Sequence, residues 1–141
     1  MRDDEKWFSA AFTVKSFTIT PEEVEKLLCI EPTRKHHIGD PVSTRNNNVK
    51  RKDYYYCIHS SCSSEQTMEN HLDEILSLLE DKKKEIYSLS KTEDVCFFCG
   101  FSSGNGQGGF TLSPEILSRL AGLEVPLSLD LYPPSGAGLD E

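Results

Sequence analysis

The sequence predicts an α+β fold: a mostly antiparallel or mixed sheet packed with helices, with pseudo-duplicated β-α-β units in a ferredoxin-like arrangement. Two observations predict it. Segments in which apolar residues alternate, as in strands, are separated by segments with an amphipathic helical stripe. In addition, "FTITPEEVEKLLCIEP" at 17–32 is closely matched by "FTLSPEILSRLAGLEV" at 110–125, and each copy has a predicted strand on both sides.

The internal repeat has two explanations. Duplication of an ancestral β-α-β unit accounts for the match over its whole length, including the equivalent leucines Leu27 and Leu120. Alternatively, Thr-Pro-Glu and Ser-Pro-Glu are simply common helix starts, because the hydroxyl caps the first turn and proline fits the first helical position. We favour duplication, and we expect the two helices to superpose together with their flanking strands.

The first half of the chain predicts a strand, a helix, a loop and a second strand. "KWFSAAFTVK" at 6–15 alternates between two faces. A helix is predicted to begin at Thr20, whose hydroxyl is well placed to cap it. Residues 33–52 contain a Gly-Asp-Pro breaker and three consecutive asparagines, so they are predicted to form a long polar loop. "DYYYCIHSS" at 53–61 is rich in aromatic residues and predicts the second strand.

The second half predicts a long amphipathic helix over about 64–80, and the stretch 83–91 is ambiguous. "DVCFFCGF" at 94–101 predicts another strand, and "SSGNGQGG" after it predicts a turn or flexible hairpin loop. The second copy of the repeat predicts a helix from Ser113. The leucine alternation of "VPLSLDLY" at 125–132 predicts a closing strand.

The length of 141 residues suits one α+β domain over 1–132, and we expect the tail 133–141 to be disordered. No stretch approaches the ~18 consecutive apolar residues of a membrane span. The N-terminal "MRDDEKW" lacks the apolar segment of a signal peptide. We therefore expect a cytoplasmic protein without membrane contact, and nothing in the sequence specifies its oligomeric state.

The charge of the chain is unevenly distributed. The net charge of -8 argues against general nucleic-acid binding. Residues 34–52, however, carry six basic residues and one acid, a local net charge of +5. Such a loop would attract an anionic small ligand or an acidic protein surface; the alternative is a solvated connector. The candidate binding residues are Arg34, Lys35, His36, His37, Asp40, Arg45, Lys50 and Arg51.

No catalytic residue, metal site or cofactor is assigned from the sequence. Five cysteines in a chain without an export signal indicate reduced thiols. The CxxC spacing at Cys96 and Cys99 falls on a predicted strand, which points the two thiols to opposite faces. The adjacent histidines His36 and His37 diverge for the same reason and make a poor metal pair. The segment "GNGQGG" lacks the Lys-Ser/Thr of a phosphate-binding loop.

Three segments in order resemble a known family. They are "ITPEEVEKLLCIEPTRKHHIGD", "MENHLDEILSLLE" and "GFTLSPEILSRLAGLEVPLSLDLY". This order is similar to the bacterial domain-of-unknown-function family 4279 over roughly residues 6–132. One departure is the Tyr54-Tyr55-Tyr56 run, where a tryptophan is expected. The resemblance implies a compact bacterial α+β domain and supplies no catalytic residues.

These observations favour a non-enzymatic binding or regulatory module, of which an immunity-type partner of a toxin is one form. The alternative is a small enzyme or anionic-ligand-binding protein that uses the 33–52 loop. A deep pocket with convergent histidine, aspartate and arginine side chains would favour the alternative. Flat surfaces would favour the module.

Overall fold

The computed structural model describes residues 5–45 and 48–132. The predicted disorder of 133–141 concerns residues outside this part of the chain. The strands are β1 (Lys6–Ser16), β2 (Arg34–His36), β3 (Tyr54–His59), β4 (Asp94–Ser103) and β5 (Leu127–Leu131). The α-helices are α1 (Pro21–Leu28), α2 (Met68–Leu79), α3 (Lys83–Thr92) and α4 (Pro114–Gly122), with a short 3-10 turn (Glu80–Lys82) between α2 and α3. None of the helices in the described ranges is long and apolar enough to cross a membrane.

The five strands form one mixed sheet in the order β2-β3-β1-β4-β5. The pairs β2–β3, β3–β1 and β1–β4 are antiparallel, and the pair β4–β5 is parallel. The order β2-β3-β1-β4, with α1 and then α2 and α3 as the connecting helices, is the ferredoxin-like arrangement of two split β-α-β units. Helix α4 and β5 add a third unit at the edge. The predicted α+β class is confirmed.

The two copies of the sequence repeat begin their helices in the same way. Thr20 and Ser113 are the N-caps of α1 and α4, and each hydroxyl accepts a hydrogen bond from the backbone N–H three residues later. Proline occupies the first turn in both. Their strand surroundings differ, because β3 lies between the two strands that α1 connects, whereas α4 connects neighbours. The expected superposition of the two helices together with their flanking strands is therefore not met, and duplication itself stays a prediction.

All four helices cover one face of the sheet, and the core lies between them and that face. Phe12 and Val14 of β1 are buried there with their strand partners Phe97 and Val95 of β4. The apolar stripes of the helices complete the same cluster, for example Leu72 of α2. The alternate residues of each strand point to the opposite face, which carries no helix.

Two predicted segments differ in the structure, and the structure assigns a third segment that the sequence left ambiguous. The predicted loop 33–52 contains β2, and an isolated antiparallel bridge joins Pro41 to Lys50. The ambiguous stretch 83–91 is helical. The glycine-rich segment after β4 is the connection to α4 within a β-α-β unit, so it does not join antiparallel strands as a hairpin would.

Candidate functional site

The helix-free face of the sheet carries a cavity of about 1120 Å³, which we call the open-face cavity. Its floor comes from small residues on the central strand β1, namely Ser9, Ala11 and Thr13. Side chains of β2, β3 and the segment after β2 line one side. Residues of β4, β5 and the N-terminal part of β1 line the other. The cavity exists because small floor residues on the central strand are flanked by large residues towards both edges.

Arg34 and Arg51 line the basic side of the cavity. Arg34 faces it because Arg34 pairs with Cys57 and Cys57 pairs with Thr13, and residues directly opposite on paired strands share a face. The backbone of Arg51 is held by two hydrogen bonds: its N–H donates to the carbonyl of Asp40 at 2.7 Å, and its carbonyl accepts from Gly39 N–H at 2.8 Å. The chain thus brings together two arginines that are distant in sequence.

His36 has a fixed ring orientation on the same side. Its ring stacks on Tyr55 with the centroids 5.1 Å apart, and its Nε2 lies 2.7 Å from Oδ1 of Asp53. Burial raises the pKa of Tyr55, so its hydroxyl stays protonated at neutral pH. The three side chains form a rigid wall beside Arg34, which suits recognition of a ligand in a defined pose.

Lys35 and His37 turn towards α1 instead. Lys35 Nζ lies 3.0 Å from Oε2 of Glu22, and His37 Nε2 lies 2.6 Å from the other carboxylate oxygen. Hydrogen bonds from His37 and Lys35 lower the pKa of Glu22 to about 2. The prediction that the two adjacent histidines diverge is confirmed. Lys35 still contacts the cavity with part of its side chain.

The remaining candidate residues separate in the same way. Asp40 lines the cavity and accepts a hydrogen bond from the backbone N–H of His37 at 2.8 Å. Arg45 and Lys50 are exposed and do not line it. The structure therefore places Arg34, Lys35, His36, Asp40 and Arg51 around one cavity and leaves Arg45 and Lys50 outside.

The opposite side of the cavity contains what we call the aromatic corner, formed by Trp7, Asp130 and Tyr132. The rings of Trp7 and Tyr132 meet edge to face, with centroids 5.6 Å apart at 76°. The Trp7 ring lies close over Gly100, the direct strand partner of Asp130. Asp130 and Tyr132 share a face because they are two residues apart in extended chain.

Sequence reasoning missed all three residues of the aromatic corner, as well as Asp53 and Tyr55. A usable signal was present: Trp7 and Tyr55 occupy the outward positions of predicted strands, where aromatic residues are unusual unless something covers them. What the sequence lacked was the strand order, which places β1, β3 and β5 side chains on one surface.

The cysteine pair behaves as predicted. Cys99 is buried in the core, where desolvation raises the pKa of its thiol to about 12. Cys96 faces the other way, with its Sγ 3.4 Å from the hydroxyl of Ser128. In the two described ranges no three His, Cys, Asp or Glu side chains form a group suited to a metal ion.

Ser60 and His71 form a serine–histidine pair, but it lies in the core. His71 Nε2 lies 3.0 Å from the carbonyl of Ser63, so it carries the proton, and Nδ1 accepts from the Ser60 hydroxyl at 2.6 Å. The Ser60 oxygen in turn accepts from the backbone N–H of Ala10. His71 is 1% exposed, and burial lowers its pKa. The pair joins α2 to the sheet and has no access to a substrate.

Comparison with known proteins gives one match. A family model described as a domain of unknown function (DUF4279) matches residues 5–134, nearly the whole chain. No curated protein and no solved structure gives a significant match. The resemblance inferred from the sequence motifs is confirmed, and the bacterial source that it implied stays a prediction.

Proposed function

This chain belongs to the DUF4279 family, and we propose that it is an anionic-ligand-binding protein whose open-face cavity takes the anionic group of a ligand. This is the alternative that a pocket with convergent histidine, aspartate and arginine side chains favours over the non-enzymatic module. The observation that carries the proposal is the convergence of Arg34 and Arg51 on one cavity, in a chain whose net charge is -8. A cationic surface that persists against this overall charge attracts anions locally.

Arginine suits the proposed task. A guanidinium group can hold a carboxylate or a phosphate through two parallel hydrogen bonds, which fixes both position and orientation. Arg34 and Arg51 form no ion pair within the described residues, whereas Arg119 of α4 is paired with Asp73 and Glu80. Arg51 donates one hydrogen bond, from Nη2 to the carbonyl of Val42 at 3.5 Å. Its other N–H groups and the guanidinium of Arg34 keep their hydrogen-bonding capacity for a ligand.

The arrangement supports binding more than catalysis. His36 and Asp53 are a suitable pair for proton transfer, and they are the basis of the other form of this alternative, a small enzyme. His36, however, is held between Asp53 and Tyr55. The serine–histidine pair Ser60 and His71 is buried. A binding role uses every feature of the basic side and requires no further group.

The test is a thermal titration with inorganic phosphate at constant ionic strength. A ligand that binds only the folded chain raises Tm as its concentration exceeds Kd. We expect phosphate to raise Tm, and Arg34→Gln or Arg51→Gln to weaken phosphate binding about tenfold through loss of a charge-assisted hydrogen bond. Arg45→Gln is the matched control, since it removes the same charge from the same segment outside the cavity.

Arg34→Gln and Arg45→Gln should leave Tm without phosphate nearly unchanged, because both side chains are exposed and exposed changes usually cost within about 0.5 kcal/mol. Arg51 is half-buried, so Arg51→Gln is judged by the rise in Tm that phosphate produces and not by Tm itself. An equal loss of phosphate binding in all three variants would show that binding depends on the total charge of the segment and not on the cavity. No rise in Tm at any phosphate concentration would contradict the proposal for this anion. Repeating the titration with acetate extends the test to carboxylates.

A protein partner is the second candidate, and it includes the immunity-type role. Exposed leucines at the β5 edge favour it: Leu129 is 53% exposed and Leu131 is 72% exposed, with Leu117 of α4 also exposed. Edge strands with exposed apolar residues are sites of strand addition. Leu129→Lys should abolish binding of a purified partner that uses this edge and leave the phosphate titration unchanged.

A further inference from the structure

We propose that the aromatic corner of Trp7, Asp130 and Tyr132 binds an organic cation, an ammonium or guanidinium group, at the end of the cavity opposite to Arg34. The inference rests on the proposed function only in that the two groups share one cavity. A ligand that fills both ends is then elongated and amphoteric, with its anionic group at the arginines and its cationic group at the corner.

The first support is the geometry of the two rings. The planes of Trp7 and Tyr132 are nearly perpendicular, so a group placed in the angle between the rings can meet a ring face. Ring faces carry negative electrostatic potential and attract cations, most strongly for tryptophan. Tyr132 is 45% exposed, which leaves the corner accessible.

The second support is the carboxylate. Asp130 makes no hydrogen bond or ion pair with any residue of the described ranges. It lies on the cavity face beside Gly100, above which the Trp7 ring is placed. An unpaired carboxylate beside two aromatic rings gives a cation both an ion-pair partner and π faces. A neutral aromatic ligand would use the rings and leave the carboxylate unpaired.

The third support is the separation of charge across the face. Arg34 on the edge strand β2 is level with Thr13 of β1, because both pair with the same residue of β3. Asp130 on the edge strand β5 is level with Ser9 of β1, because both pair with the same residue of β4. Four strand spacings and four residues separate their positions in the sheet, roughly 23 Å. Basic side chains line one end of the cavity and the free acid lines the other, so the two ends select groups of opposite charge.

The test uses the intrinsic fluorescence of Trp7, which is the one tryptophan in the sequence. The full chain is titrated with choline and, separately, with its neutral isostere 3,3-dimethylbutan-1-ol, at constant ionic strength. We expect choline to change the emission and to bind at least about fivefold more tightly than the neutral compound. Equal affinities would overturn the inference, and this comparison needs no variant.

Two substitutions sharpen the test. Asp130→Asn keeps the shape and removes the charge, and should weaken choline binding about fivefold. Asp94→Asn is the matched control, because Asp94 lies on β4 and does not line the cavity. Choline affinity that is unchanged in Asp130→Asn overturns the inference. If choline fails to bind while phosphate binds as expected, the inference fails and the proposed function stands; the opposite result leaves the cation site and removes the anion site.

Discussion

Trp7 occupies the space beside Gly100 that a side chain would need. A Cβ at position 100 would lie 3.0 Å from Cζ3 of Trp7 and 2.6 Å from Oγ of Ser9. Glycine at this position therefore allows the indole to lie over the sheet, and it shapes the aromatic corner from below.

Gly100→Ala is expected to displace the indole of Trp7. The emission of this single tryptophan should shift, and the free energy of unfolding should fall by about 1–3 kcal/mol because the added methyl overfills the site. Gly109→Ala is the control, since nothing lies within 4 Å of a Cβ built there. Identical emission spectra for Gly100→Ala and the wild type would show that the contact does not hold the ring.

The capping box at α1 is expected to contribute measurably to stability. The Thr20 hydroxyl accepts from Glu23 N–H, and the Glu23 carboxylate accepts from Thr20 N–H. Thr20→Ala should lower the free energy of unfolding by about 1 kcal/mol in urea titrations. Thr111→Ala, an exposed threonine outside the helices, should have little effect. A cost equal to that of the control would mean that solvent replaces the cap.

His71 is expected to make stability depend on pH in the neutral range. Burial lowers its pKa below the ordinary 6.5, so the unfolded chain binds a proton that the folded chain does not. Its contribution to stability is therefore complete above pH 6.5 and is lost as pH falls below that value towards the folded pKa. In urea titrations between pH 8 and pH 5, His71→Gln should flatten this slope.

The result that would contradict this prediction is an unchanged slope: if the free energy of unfolding of His71→Gln falls between pH 8 and pH 5 as steeply as that of the wild type, His71 is not its source.

Much of the fold could be predicted from local pattern. Two features are encoded within a few residues, and the structure confirms both. They are the strand alternation of β1 and the two helix starts, at which a capping hydroxyl on Thr20 or Ser113 is followed by proline. Strand β2 could not be predicted, because Arg34–His36 is three polar residues long and becomes a strand only through pairing with β3. Its existence depends on tertiary contacts, which local propensity does not report.

The candidate site was predicted only in part, because its assembly also depends on tertiary contacts. The charge of the 34–52 segment pointed to Arg34, His36 and Arg51, which line the cavity. The register, which sequence pattern does not contain, decided that Lys35 and His37 turn to α1. The register also placed Asp130 directly opposite Gly100, over which the Trp7 ring lies.

The most direct test of the central claim is to map phosphate binding on the backbone amides by two-dimensional NMR. We expect the largest shift changes on β2 and its cavity neighbours, at Arg34, Cys57 and Thr13, with saturable dependence on phosphate and loss of the changes in Arg34→Gln. The contradicting result would be shift changes confined to the helix-covered side, for instance at the N-terminus of α1 after Thr20, with no change around the open-face cavity.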